Sequence, residues 1–151
     1  FTRRAKSRLQ ALLDETHPTA QVTFEEGVLP FADAVKAMEA FDVFLSSRDA
    51  RYQKLLSGKV GILIGLRRPI IFIGPPNAAE GKLVERAGAG KAFTFDSDPQ
   101  AIAAHLQGLW NRKINHQPLV QIDDSIYRAF DMKEQIARIT PVLERAMARR
   151  A

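Results

Sequence analysis

Segments typical of buried strands alternate with segments typical of amphipathic helices along most of this chain. Alternation of apolar and polar residues predicts a strand at residues 21–24, and short apolar segments predict strands at 42–45, 70–73 and 92–95. The pattern between and around them predicts helices at 3–15, 31–40, 59–66, 78–87, 100–110 and 132–147. Parallel strands need a long crossover, which is usually a helix, so this order predicts right-handed β-α-β units. We therefore expect an α/β fold, with a parallel sheet of at least four strands covered by helices on both faces.

Three features bear on where the elements begin and end. Asp98-Pro99 is typical of a helix start, since Asp caps a helix and Pro suits its first position. Pro141 is expected to kink or divide the last helix, and residues 111–124 have no clear periodicity. A doubly wound domain normally opens with a strand, whereas the first predicted element is a helix. We expect either a strand before Phe1 or a sheet that is one strand short.

The composition excludes several kinds of site. The chain has no cysteine, so disulfides, thiolate metal sites and a cysteine nucleophile are excluded, and a reducing compartment fits. Its apolar runs fall far short of the roughly 20 residues that span a bilayer. Motifs of P-loop enzymes, dinucleotide-binding proteins and serine hydrolases are missing. His17, His105 and His116 are too scattered to predict a zinc site, and we expect each to have a surface or packing role.

The excess of positive charge is local. The formal net charge is +5, and residues 48–68 account for all of it with six basic residues and one acid. A predicted strand ends at Ser46-Ser47, and a predicted helix opens at Gly58-Lys59, where free backbone N–H groups favour an anion. The pattern predicts a phosphate site made of the two hydroxyls, these N–H groups and Lys59. The alternatives are that the serines only cap a turn and that the basic side chains only solvate a surface.

Five segments, in order, resemble motifs of group 1, or family 4-like, glycosyltransferases. Residues 57–71 resemble the "(T/S)GK … (R/K)-P-(I/V)-(I/L)" segment of that family, and 41–47 resemble "ADVFLLPS". The other three matches are 22–30 to "VxFxGxVP" with one inserted residue, 79–90 to "sE…(L/I)(V/I)xExGxG", and 98–102 to "DPEAIA". Each match is weak alone, but five in the family's order make the resemblance much more specific.

The resemblance implies that residues 1–151 are the C-terminal, Rossmann-like domain of a two-domain GT-B glycosyltransferase, without its first strand. In that family this domain binds the nucleotide-sugar donor, a UDP- or GDP-sugar, without a metal or other cofactor in most members. The N-terminal domain binds the glycan or lipid-linked acceptor. That domain is absent from this chain, so we assign no catalytic residue and expect no sugar transfer by the chain alone. The implied location is the cytoplasm, including the inner face of the membrane, where basic residues near both termini could contact anionic lipid.

The matching positions imply a set of donor-binding residues. The resemblance puts Gly27 and Val28 beside the base, Ser46, Ser47 and Lys59 near the diphosphate, and Ile62 at the ribose. Arg48, which follows the two serines, is also predicted to bind the donor.

The match also departs from the family pattern at the ribose. Ile62 stands where the family has a glutamate that accepts hydrogen bonds from the ribose, Lys54 stands at its partner glutamate, and Gly61 replaces an aromatic residue. An isoleucine cannot accept a hydrogen bond, so the alternative is a GT-B-like domain that has lost transferase activity and acts as an interaction module. A nucleic-acid-binding module is suggested only by the isoelectric point of about 9.8. We expect no nucleic-acid partner, because an RNP-like aromatic set is missing.

Overall fold

The computed structural model describes residues 3–16, 19, 21–23 and 28–148, and it is an α/β structure. The chain divides into two compact units, Phe1–Ala34 and Val35–Ala151. The elements in chain order are α1 (Arg3–Thr16), α2 (Phe31–Glu39), β1 (Phe44–Ser47), α3 (Gly58–Gly65), β2 (Ile70–Gly74), α4 (Ala79–Arg86), β3 (Gly90–Thr94), α5 (Pro99–Ile114), α6 (Asp124–Ala129) and α7 (Met132–Ala148).

The three strands form one parallel sheet in the order β1-β2-β3. In its register Phe44 lies opposite Ile70, and Ile70 lies opposite Gly90. Gly90 has no room for a side chain, because a Cβ there would collide with the Ile70 carbonyl oxygen. Helices connect the strands in sequence, so the parallel sheet with β-α-β crossovers is confirmed.

The core lies between the sheet and the helices α3 and α4. Its buried members come from β1, α3, β2, α4 and the segment after α4: Phe44, Val60, Leu63, Ile64, Ile70, Leu83, Val84, Ala87 and Ala89. Side chains alternate between the two faces of a strand. Phe93 of β3 contacts the His105 ring of α5, with ring centroids 5.9 Å apart, whereas the neighbouring Ala92 lies near Gly81 of α4. Helices therefore pack on both faces of the sheet, as expected.

Two local signals explain the ends of α4 and the start of α5. Gly88 has a φ of 64°, and a Cβ at this position would run into the Gln121 carbonyl oxygen. Glycine adopts this left-handed conformation without strain, so it suits the turn that ends α4. The Asp98 carboxylate accepts a hydrogen bond from the Gln100 N–H at 2.9 Å, with Pro99 at the first turn. The predicted cap of α5 is therefore confirmed.

Several predicted boundaries need correction. The strand predicted at 42–45 lies at Phe44–Ser47, and the one predicted at 92–95 lies at Gly90–Thr94. Residues 21–23 of the predicted first strand are not in a strand, and Phe24 lies outside the described residues. The sheet thus has three strands in the described part of the chain, rather than at least four.

The C-terminal helices also differ from the prediction. Helix α5 continues to Ile114, and the unpredicted α6 follows a loop. Helix α7 runs on through Pro141 instead of dividing there, although this proline removes one backbone donor from the helix. None of the described helices is both long and apolar enough to cross a membrane.

Candidate functional site

A buried carboxylate lies at the carboxyl edge of the sheet. Glu80, in the first turn of α4, is 1% exposed, and it is the one charged residue of the described chain that is buried. Burying a carboxylate is costly unless hydrogen-bond donors satisfy it. The surroundings of Glu80 therefore identify which parts of this edge are built around a negative charge.

Three donors satisfy the Glu80 carboxylate. The Ser46 hydroxyl donates to Oε1 at 2.6 Å, and Arg48 Nη2 donates to Oε2 at 2.5 Å. The backbone N–H of Ser57 also donates to Oε2, at 3.2 Å. Ser46 belongs to β1, Arg48 follows that strand, and Ser57 caps α3. One carboxylate therefore joins the end of β1 to the start of α3.

The segment between these two points is the basic loop, residues 48–57. It leaves the sheet with the Arg48 N–H bonded to the Ile73 carbonyl at 3.2 Å, and a 3-10 turn follows at Ala50–Tyr52. Midway along the loop, the Gln53 carbonyl accepts a hydrogen bond from the Ala79 N–H at 2.7 Å. The basic loop is thus attached to the first turn of α4 by Gln53 as well as by Glu80.

Part of the positive end of α3 is used internally. The Ser57 hydroxyl accepts a hydrogen bond from the Lys59 N–H at 3.1 Å, and the Ser57 carbonyl accepts one from Val60 at 3.1 Å. Backbone donors at a helix start are the groups that would hold an external anion. Since two of them already have partners, a ligand at this edge would depend on side chains as well.

The predicted site residues are only partly brought together. Ser46 and Arg48 meet at Glu80, whereas Ser47 is exposed and, by the alternation of the strand, lies on the opposite face of the sheet. Lys59 is exposed on the first turn of α3, and Ile62 is half-buried farther along that helix.

Of the two residues expected beside a base, the structure describes Val28, which belongs to the unit Phe1–Ala34. Val28 is 98% exposed, and Gly27 lies outside the described residues.

Two adjoining cavities open beside the start of α4, and the larger one also borders the basic loop. The larger, of about 420 Å³, is lined by Gln53, Lys54, Asn77, Ala79 and Lys82. The second, of about 310 Å³, shares Asn77 and Lys82 and extends along α4 to the end of β3. The larger cavity has two lysines and no carboxylate in its lining, so its electrostatic character favours an anion.

Gly61 has a packing explanation in this fold. A Cβ at Gly61 would lie 2.8 Å from Cδ1 of Phe130, the C-cap residue that follows α6. Phe130 packs against the core, so its ring fills the space that a side chain at 61 would need. The aromatic residue that the family has at this position would not fit unless Phe130 moved.

The described histidines and acids do not cluster as metal ligands would. Within the described residues, no group of three or more His, Asp or Glu side chains could hold a metal ion. His105 packs against Phe93, and burial, followed by the charges of Lys91 and Arg112, lowers the pKa of its imidazole. A neutral packing role agrees with what we expect of this histidine, while His17 lies outside the described residues.

Sequence reasoning did not assign Glu80 to the site, although a signal for it exists. Glu80, Leu83, Val84 and Ala87 follow one another at spacings of three, one and three, which puts them on one helix face. The three apolar members of that face are in the core. A glutamate on an apolar face at the start of a helix indicates a buried carboxylate that needs donors.

Comparison with protein-family models, with curated proteins and with solved structures finds no match to this chain.

Proposed function

We propose that this chain is the donor-binding, Rossmann-like domain of a GT-B glycosyltransferase of the group 1 type. On this proposal it binds a nucleoside diphosphate sugar at the carboxyl edge of its sheet, and the acceptor binds to another domain. The chain acts in the cytoplasm and does not transfer sugar alone. The observation that carries the proposal is the basic cavity beside Lys54 and Lys82, which opens where ligands of doubly wound sheets bind.

The order of the strands supports this proposal. A doubly wound sheet with strand order 3-2-1-4-5-6 has a second half in which neighbouring strands follow one another along the chain. β1, β2 and β3 are parallel and follow one another in the same way. The segments that resemble the family motifs include all of β1 and parts of β2 and β3, so the resemblance and the strand order agree.

The charge distribution supports a diphosphate as the anchoring group. Lys54 and Lys82 line the larger cavity, and Asn77 adds an amide that can donate to a phosphate oxygen. Lysine is a common phosphate ligand that acts as a point charge, so two lysines around one cavity suit a diphosphate. The half-buried Ile62 offers no hydrogen bond to a ribose, and we therefore expect weak binding.

Calorimetric titration of the chain with UDP, GDP and their sugars tests the proposal. We expect binding at millimolar ligand that weakens about tenfold when Lys54→Ala or Lys82→Ala removes a charge-assisted contact. Lys113→Ala is the matched control, because it removes the same charge near Asp42, which precedes β1 at the opposite edge of the sheet. Absence of nucleotide binding, or equal weakening by all three variants, would overturn the proposal.

The second candidate is a domain that keeps the fold and has become an interaction module. The observation that favours it is that the Glu80 carboxylate already binds the Ser46 hydroxyl and the Arg48 guanidinium, two of the groups expected to bind the donor. Ile62→Glu separates the candidates, with Ile62→Gln as the control of similar size. A clear gain in UDP or GDP affinity for Glu over Gln supports the transferase domain, whereas an unchanged affinity supports the interaction module.

A further inference from the structure

We propose that Glu80 is a positioning residue whose carboxylate clamps the basic loop, residues 48–57, onto the first turn of α4. The clamp holds the loop in place before any ligand binds, so that Lys54 already lies at the larger cavity. The structural part of this proposal concerns the loop alone. Only its consequence for nucleotide affinity rests on the proposed function.

The first argument is that the basic loop has no apolar anchor. Every residue from 49 to 56 is exposed, including the large apolar side chains Tyr52, Leu55 and Leu56. A loop whose large apolar side chains all stay about half exposed gains less hydrophobic stabilisation to offset the entropy of ordering it than one with a buried anchor. Polar contacts with the body of the domain must therefore hold it.

The second argument is that Glu80 supplies two of those contacts, and that it alone of these partners acts at both ends of the loop. Arg48 and the Ser57 N–H bind the same carboxylate oxygen, although they are separated along the chain by the rest of the loop. The ion pair of Arg51 with Asp49 is local to the loop and cannot tie it to the sheet or to α4. Besides Glu80, the contact with the first turn of α4 is the bond between the Gln53 carbonyl and the Ala79 N–H.

The third argument is the burial of the clamp. Glu80 is almost fully enclosed and the Arg48 side chain is 22% exposed, so water competes little for their contact. Hydrogen bonds to a charged group in such a place are among the strong ones. Removing the carboxylate would leave the loop attached by the backbone bonds of Arg48 with Ile73 and of Gln53 with Ala79, and local opening should become more frequent.

The clamp has a consequence for the ligand. Because the Glu80 carboxylate occupies the Ser46 and Arg48 donors, an incoming diphosphate has to bind to the outer groups, Lys54 and Lys82. Lys54 is on the clamped loop and Lys82 is on the helix that carries Glu80. If the loop were released, ligand binding would have to order Lys54, and the entropy lost in that ordering would lower the affinity.

Limited proteolysis with trypsin tests the clamp, because Arg51 and Lys54 lie in the loop. Cleavage there is compared with cleavage after Arg112 in α5, which reports global unfolding. In Glu80→Ala we expect cleavage in the loop to rise about tenfold relative to cleavage after Arg112. Glu80→Gln should fall between Glu80→Ala and the unchanged chain, since its amide oxygen can still accept a hydrogen bond.

Two further variants keep this test decisive. Glu85→Ala removes an exposed carboxylate from the same helix and should leave loop cleavage unchanged. Ser46→Ala removes one of the donors to Glu80, so it should raise loop cleavage by less than Glu80→Ala does. Because this change is milder, it still tests the clamp if Glu80→Ala folds poorly. The proposal is overturned if loop cleavage relative to Arg112 is the same in the unchanged chain, Glu80→Gln and Ser46→Ala.

Nucleotide titration of the same variants separates this proposal from the proposed function. If the loop opens in Glu80→Gln while neither UDP nor GDP binds the unchanged chain, the clamp stands and the proposed function fails. If UDP or GDP binds the unchanged chain and Glu80→Gln equally, with equal loop cleavage, the clamp fails and the proposed function stands. A joint rise in loop cleavage and loss of affinity supports both.

Discussion

Two ion pairs at opposite edges of the sheet have almost the same geometry and different surroundings. Arg48 Nη2 lies 2.5 Å from Glu80 Oε2 at the carboxyl edge, and Lys113 Nζ lies 2.6 Å from Asp42 Oδ2 at the amino edge. The side chains of the first pair are 22% and 1% exposed, those of the second 45% and 56%. Solvent screens the second pair, so distance alone says little about what each pair contributes.

The basic residues of segment 48–68 also differ in burial and in ion pairing, and so have different roles. Arg48 is part of the buried clamp, and Arg67 pairs with Asp124 on the surface. Lys54 and Lys59 make no ion pair within the described residues, and both are exposed. The charge available to an external anion is therefore smaller than the net charge of residues 48–68 suggests, and it is concentrated on the lysines.

The largest expected effect is the loss of the buried pair. Glu80→Ala leaves the Arg48 guanidinium without its counter-charge, and we expect the free energy of unfolding to fall by about 3 kcal/mol. Chemical denaturation followed by circular dichroism measures this change. A loss no larger than that caused by Lys113→Ala would remove the distinction between the two edges.

The next effect separates neighbouring serines at the carboxyl edge. Ser46→Ala deletes the hydroxyl that binds Glu80 at 2.6 Å, and it should destabilise the fold by about 1–3 kcal/mol because a buried acceptor loses a donor. Ser47→Ala, on the opposite face and exposed, should change stability by less than about 0.5 kcal/mol. Equal effects in denaturant titrations would contradict the assignment of Ser46 to the clamp.

At the exposed edge we expect a smaller change that depends on salt. Lys113→Ala should cost at most about 1 kcal/mol, since both partners of the pair are solvated. Raising the ionic strength should reduce this difference further, because exposed charges are screened. Thermal melts of both proteins at low and high salt provide the measurement. A destabilisation by Lys113→Ala that is as large at high salt as at low salt would contradict the view that solvent screens this pair.

The smallest effect concerns the exposed pair within the basic loop. Hydrogen bonds from the Arg51 side chain and backbone lower the pKa of Asp49 below its ordinary value of 3.8. The folded state thus favours the charged carboxylate, and this stabilisation is present above pH 3.8 and lost as the pH falls through the lower, folded value. An asparagine at this position cannot titrate, so the Asp49→Asn variant should lose slightly less stability than the unchanged chain when the pH is lowered. A pH series of melts from neutral to acid compares the two proteins, and identical profiles would show that the pair adds nothing.

Local signals in the sequence predicted most of the sheet and the helices that follow it. Asp98 and the apolar run that became β2 carry their structural information in a few neighbouring residues, so the start of α5 and the strand β2 were predicted closely. From the sequence, Gly61 was notable only because it replaces an aromatic residue of the family pattern. In the structure, the ring of Phe130 fills the space that a side chain at position 61 would need. A contact between residues so distant in sequence cannot be read from the pattern around either one.

The candidate site was predictable to a similar extent. Ser46 and the start of α3 lie at the same edge of the sheet, because the strands are parallel and a crossover helix begins where its strand ends. The alternation of β1 separates Ser46 from Ser47, and a shift of the predicted strand by two residues obscured which face each would take. The partner of Ser46 and Arg48 is a glutamate more than thirty residues away, and only the packing of α4 brings it there.

The most direct test of the central claim is an amide chemical-shift titration of the isotope-labelled chain with UDP and GDP. The account predicts the largest shifts at Lys54, Asn77 and Lys82, around the cavity beside the Glu80 clamp, and no comparable shift at Lys113. Absence of shifts at these three residues at millimolar nucleotide, or shifts centred on Lys113, would contradict a nucleotide site at the carboxyl edge.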